Sequence, residues 1–117
     1  DATEDHQWIH VDEEKAKNEL PTQSTIAHGF LSLSLSVPLA AQVWTVTGTK
    51  MLINYGLNKV RFINMVPVNS KVRMSVKVKE VNELDNGGTQ VISEETLEIE
   101  GQDKPAYVAE LIMVAYK

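Results

Sequence analysis

Residues Gly29–Trp44 read Gly-Phe-Leu-Ser-Leu-Ser-Leu-Ser-Val-Pro-Leu-Ala-Ala-Gln-Val-Trp. Two periodicities compete in this run. Leu31, Leu33 and Leu35 alternate with Ser32, Ser34 and Ser36, which is the period of a half-buried strand. The same residues place Leu31 with Leu35, Phe30 with Leu33 and Val37, and Ala40 and Ala41 with Trp44 at helical intervals. The run has the length of a helix, and small side chains suit a helix that lies close on a sheet. The spacing therefore predicts a helix over residues 29–44, with Pro38 producing a kink or opening a second turn.

Beyond it the chain reads as strands. Val72, Met74, Val76 and Val78 alternate with Lys71, Arg73, Ser75, Lys77 and Lys79, a half-buried strand. Asp85-Asn86-Gly87-Gly88 signals a tight turn. Val91–Ile99 follows, then a turn over Gly101–Pro105 and a strand over Ala106–Tyr116. With Leu57–Val66 as a fourth strand, the pattern predicts an antiparallel meander. The preceding helix is expected to bury its apolar side on that sheet, giving an α+β chain.

Ahead of the helix, residues 1–27 are polar and acidic. Asp12 is a suitable N-cap for a short helix through Lys17, with acids in its first turn and Pro21 beyond its end. A chain of 117 residues reads as a single domain over 1–117, long enough to bury roughly two-thirds of its unfolded surface. No apolar run approaches the ~18 residues of a membrane helix. No signal peptide opens the chain, so the expected location is cytoplasmic. The absence of cysteine excludes disulfides, thiol catalysis and thiolate metal sites.

The net charge of −5 is unevenly distributed. Seven acids lie between Asp1 and Glu19 and nine between Glu80 and Glu110. None lies between Leu20 and Lys79, where Lys50, Lys59, Arg61, Lys71, Arg73, Lys77 and Lys79 all fall. A pI near 5.1 argues against nucleic-acid binding. The cations read either as a solvated strand face or as a local positive field for an anionic small molecule.

The candidate chemistry lies near the start. Asp5 and His10 stand five apart in Asp5-His6-Gln7-Trp8-Ile9-His10, and Gly29 opens the apolar run. An acid and an imidazole can share one water, and a backbone N–H at a helix start can hold a developing oxyanion. These are parts that hydration or dehydration requires. His6 and His10 also have the helical spacing of zinc ligands, with His28 as a possible third, but no His-Glu-x-x-His pattern accompanies them. A serine hydrolase lacks its Gly-x-Ser-x-Gly elbow, and no glycine-rich phosphate loop is present. Trp8 reads as a packing residue.

The wording of Asp5–Asp12, of Ser24–Leu35 and of Ile53–Phe62 with Val66–Ser70 resembles the MaoC-like dehydratase family, in its nodulation-protein-N-like branch related to (R)-specific enoyl-CoA hydratases. The resemblance is close over residues 1–73 and continues as pattern beyond. It implies a hot-dog fold, in which a long helix is wrapped by an antiparallel sheet, and a homodimer with the site at the subunit interface. Asp5 and His10 match the catalytic pair of the family's Asp-x-Asn-x-x-His pattern. Gly29 matches the residue whose N–H meets the thioester oxygen. Gln7 stands where that pattern has Asn and Trp8 where Pro usually follows, changes that bear on the acyl pocket and leave the catalytic pair intact. Members carry a first strand before this motif, so the chain is expected to lack its N-terminal strand.

The expected reaction is (R)-specific addition of water to a trans-2-enoyl-CoA. Asp5, His10 and Gly29 are the expected catalytic set, and Gln7, His28, Tyr55, Lys59 and Arg61 the expected substrate-binding set. Lys59, Arg61 or Lys50 would steer the phosphates of coenzyme A, which enters as part of the substrate. No separate cofactor and no metal ion are expected. A thioesterase of the same fold is disfavoured because residues 29–44 hold no acid. A non-catalytic acyl-CoA-binding module would have no need of a paired acid and imidazole.

Overall fold

The computed structural model describes residues 1–117. The run that decided the fold is helical: α3 (Gly29–Ser34) and α4 (Ser36–Ala40) follow one another with a break at Leu35. Pro38 explains the break. It has no N–H to give to the Ser34 carbonyl, and its ring crowds that carbonyl, so the helix yields one turn upstream. Hydrogen bonds from Leu35 N–H to Leu31 O (3.2 Å) and from Leu39 N–H to Leu35 O (3.1 Å) carry the helix across it.

Ser32, Ser36 and Ala40, spaced four apart, are the residues that α3 and α4 bury. Only small side chains fit where a helix axis approaches a sheet this closely. Leu33 and Leu39 pack to either side, against a core of Met74, Leu97, Ile99, Ala106, Tyr107, Ala109 and Leu111. The large apolar residues Phe30, Leu31, Leu35 and Val37 stay exposed. The expectation that the helix buries its apolar side on the sheet holds for Leu33 and Leu39; the small residues make the close contact, as expected of a helix lying on a sheet, and Phe30, Leu31, Leu35 and Val37 are left uncovered.

The sheet consists of β1 (Met51–Phe62), β2 (Val72–Glu83), β3 (Thr89–Ile99) and β4 (Tyr107–Tyr116), in the order β1-β4-β3-β2. β2, β3 and β4 form the predicted hairpins, with Gly87 at φ +81° in the first turn and Gly101 at φ +78° in the second. Both angles lie where a side chain is disfavoured. β1 does not extend the meander but pairs with β4. It also begins six residues before the predicted Leu57 and ends at Phe62. Ile63 and Asn64 both donate to the Ala106 carbonyl, which turns the chain out of the sheet. A helix laid on one face of an antiparallel sheet is the hot-dog arrangement.

The two faces differ in chemistry. Val60 and Phe62, opposite Ala109 and Tyr107, share the inner face with Ser93, Glu95 and Leu97. On the outer face Arg73 meets its register partner Glu98 (Nε–Oε2 2.6 Å). Glu110 is held from both sides, by Lys79 (2.7 Å) and by Asn58 (2.7 Å). The register slips at those points of β2 and β1, and the bulges aim both side chains at one carboxylate. The cations of β2 therefore serve a solvated strand face.

The chain exposes 7966 Å², where a folded monomer of its 13.0 kDa mass is expected to expose about 6,300 Å². It buries roughly three-fifths of its unfolded surface, less than the two-thirds expected from its length. Much of the excess is apolar. Phe30, Val37 and Val43 beside the helix, and Met51, Leu52, Tyr55 and Leu57 on β1, are all exposed. No helix is long and apolar enough to cross a membrane.

Candidate active site

Asp5 precedes α1 (Trp8–Val11), and its Oδ1 accepts the Gln7 N–H at 3.1 Å. That local turn sets the carboxylate at the start of α1, with Oδ2 free to face inward. Asp12 caps α2 (Glu13–Glu19) as expected, accepting the Lys15 N–H at 2.9 Å. Lys15 lies 4.6 Å over the Trp8 ring, which agrees with a packing role for Trp8.

His10 projects from α1, and its side chain is only 9% exposed. Its Nδ1 lies 2.7 Å from the carbonyl oxygen of Ile26. A carbonyl can only accept, so Nδ1 carries the proton and Nε2 of the neutral ring is left with a lone pair. That Nε2 faces Asp5 Oδ2 at 3.8 Å. The gap is too long for a direct hydrogen bond and suits one water donating to both acceptors. A water held this way turns its oxygen lone pairs outward, as an attacking nucleophile requires.

His28 stacks on His10, with ring centroids 3.8 Å apart and planes 24° from parallel. Its Nε2 donates to the Asp5 carbonyl at 2.8 Å and lies 3.1 Å from Thr3 Oγ1. One ring thus ties the loop carrying Asp5 to the residue before α3. A ladder of backbone bonds holds the rest: Ile26 N–H to Ile9 O, Ala27 N–H to Val66 O and Val68 N–H to Thr25 O.

Asp5, His10 and His28 come within 4.8 Å of one another through potential ligand atoms. Stacked imidazoles hold their in-plane lone pairs side by side, a poor geometry for converging on one ion. His6 faces Glu4 instead, at 3.9 Å.

Gly29 begins α3, where the first N–H groups have no partner within the helix. A Cβ at this position would stand 3.2 Å from the Phe62 ring, so glycine lets the ring lie flush against the backbone. His10 and Gly29 line a cleft of about 430 Å³ with Ile26, Ser32, Phe62 and Tyr107. Tyr107 is fully buried there and its hydroxyl has no partner. Burial, together with the charge of Glu95, pushes the phenol above its ordinary pKa.

The structure thus gathers Asp5, His10, His28 and Gly29 and leaves other expected residues outside. Gln7 contributes its backbone N–H to Asp5, while its side chain is exposed. Lys59 and Arg61 alternate with inward Val60 and Phe62, so both lie on the outer face, away from this chain's cleft. Lys59 is close enough to Glu110 to help hold that carboxyl below its usual range. Tyr55 sits at a register slip of β1 and is 68% exposed. Lys50 lies at the strand end opposite Phe62. Within one chain, strand alternation turns Lys59 and Arg61 away from the cleft, and Gln7, Lys50 and Tyr55 do not line it. Sequence reasoning missed the Ile26 carbonyl, a backbone group without a residue signature, and the Phe62 and Tyr107 walls, which alternation alone could mark only as inward.

Comparison with known proteins gives the family and the fold. The MaoC-like domain family matches residues 1–99. The chain is 53% identical over 113 residues to 3-hydroxyacyl-thioester dehydratase Z of Mycobacterium tuberculosis, covering 97% of this chain and 74% of that protein. It is 40% identical over 117 residues to nodulation protein N of Rhizobium leguminosarum bv. viciae, covering 97% and 71%. Among solved structures, the unliganded R-hydratase PhaJ1 of Pseudomonas aeruginosa superposes with a TM-score of 0.73 at 22% identity, over 99% of this chain and 68% of that one. The fold and the sequence match agree: this chain belongs to the MaoC-like dehydratase family and is a hydro-lyase on the hot-dog fold.

Proposed function

We propose that the chain catalyses reversible hydration of a trans-2-enoyl-CoA thioester to the 3-hydroxyacyl-CoA, with the (R) stereochemistry that the sequence resemblance implies. The observation that carries this reading is the 3.8 Å gap between Asp5 Oδ2 and His10 Nε2, with His10 Nδ1 engaged by Ile26. A water in that gap adds its oxygen to C3 of the enoyl group. Asp5 is the favoured base for one of its protons, and the pair returns a proton to C2, so one water is added across the double bond. Negative charge gathers on the thioester oxygen meanwhile, and the Gly29 N–H at the start of α3 would donate a hydrogen bond to it. The name of the 53% identical relative, a 3-hydroxyacyl-thioester dehydratase, supports the same substrate class.

The working unit in this reading is a homodimer. About 1,600 Å² of surface beyond that of a compact monomer matches what each partner buries in a large obligate interface. The exposed apolar residues of α3, α4 and β1 supply the patch, and the edge of β1 supplies unpaired backbone for a second copy. Such an interface would roof the groove between the helix and β1.

Crotonyl-CoA hydration, followed by loss of enoyl absorbance, tests the assignment. Wild type is expected to turn it over. Asp5→Asn and His10→Ala should each lower kcat by ~10²–10⁴, with circular dichroism unchanged. Wild-type rates in either variant would remove the pair from the mechanism.

A further inference from the structure

Under Trp44 lies a cavity of about 190 Å³, lined by Val37, Ala40, Leu52 and Met113. Its lining is apolar but for a few groups, of which Glu95 is the only titratable one. Glu95 is 1% exposed, and its Oε2 has no hydrogen-bond partner. Ser93, two residues back on the same face of β3, is fully buried and its hydroxyl is likewise without a partner. Buried polar atoms in folded proteins are nearly always paired, so an orphaned carboxyl beside a cavity points to a missing partner.

The cavity lies along the same helix as the candidate site. Gly29 and Phe62 line the site's cleft at the start of that helix. The next cleft along, between Leu33 and Leu57, shares Val37, Asn54 and Leu111 with the cavity at Glu95. From Gly29 to Ala40 the helix spans about 16 Å at 1.5 Å per residue, the reach of an acyl chain of about twelve carbons.

We propose that the cavity receives the far end of the acyl chain, and that Glu95 selects a tail ending in a hydroxyl over a plain alkyl tail. The inference rests on the acyl-thioester reading above and names the substrate class within it. Burial raises the Glu95 carboxyl to about 7. It therefore exists near neutrality both as acid and as carboxylate. A hydroxyl satisfies either form, accepting from the acid or donating to the carboxylate. A methyl terminus would seal the carboxyl away from water with nothing in return, and a site with an unpaired polar group discriminates strongly against such a ligand.

The test compares binding of two saturated thioesters, 12-hydroxydodecanoyl-CoA and dodecanoyl-CoA, by titration calorimetry, since neither can be hydrated. Wild type is expected to bind the hydroxylated tail about tenfold more tightly. Glu95→Leu, which should fold because it replaces a buried carboxyl with an apolar group, should reverse the order. Glu95→Gln should keep it, because the amide both donates and accepts. Equal or tighter binding of the plain tail by wild type overturns the inference, and so does a preference that survives in Glu95→Leu. If crotonyl-CoA is hydrated while the two tails are not distinguished, this inference fails alone. If neither tail binds and crotonyl-CoA is not hydrated, the acyl-thioester reading fails with it.

Discussion

At the scale of single residues, backbone acceptors decide the chemistry as much as side chains do. The Ile26 carbonyl fixes the proton on His10 Nδ1 and leaves a lone pair on the Nε2 that faces Asp5, and the Asp5 carbonyl holds His28 in its stack on that ring. Glu95 offers a residue-scale prediction that needs no substrate. Its carboxyl is raised from 4.5 to about 7 by burial, so the folded state holds a proton that the unfolded chain releases at lower pH. Stability should therefore fall as pH rises from about 4.5 to 7 and level off above that, by roughly 3 kcal/mol from this group. Melting curves from pH 5 to 8 should show a steeper decline for wild type than for Glu95→Gln. Parallel declines would mean that Glu95 is not buried in the protein as it exists in solution.

At the scale of elements, the helix is defined by what it can lay on a sheet. Ser32, Ser36 and Ala40 form the contact stripe, so the position of the helix depends on their being small. Ser36→Leu should overpack this contact and cost about 1–3 kcal/mol. Urea unfolding would show this as a lower midpoint with an unchanged slope. Ser34→Leu, at an exposed position of the same helix, should change stability little, and equal losses in the two variants would contradict the stripe. The two bulges that aim Asn58 and Lys79 at Glu110 organise the outer face in a similar way. Both contacts hold the Glu110 carboxyl below its ordinary range. Their contribution is present above the unfolded value and is lost as pH falls through the lowered folded one.

At the scale of the whole molecule, surface is in excess. A radius of gyration of 16.6 Å compares with about 13 Å expected for a compact chain of this length. The proposed homodimer accounts for the difference with an isologous patch centred on the helix and β1. Tyr55→Glu would place two like charges in that patch, one from each copy. Sedimentation should then show monomer at concentrations where wild type is dimeric. A variant that remains as dimeric as wild type would move the interface elsewhere on the molecule.

Read alone, the sequence determined the helix over 29–44, the hairpins from β2 to β4, the Asp12 cap and the effect of Pro38, and it singled out Asp5, His10 and Gly29 as candidates. Each depends on local physics: periodicity, turn residues, capping geometry or a short motif whose spacing survives folding. Only the tertiary structure decided that β1 pairs with β4, since antiparallel pairing partners are chosen by packing rather than by neighbouring residues. It alone showed that Ser32 and Ser36 but not Ser34 meet the sheet, and that Leu33 and Leu39 but not Leu31 and Leu35 pack on the core, because the place of contact is set by both elements together. The stacking of His28 on His10 joins residues eighteen apart in the chain, and no local pattern encodes it. Lys59 and Arg61 illustrate the same limit. Their alternation showed that they share a face, but which face meets the cleft depended on where the helix came to rest.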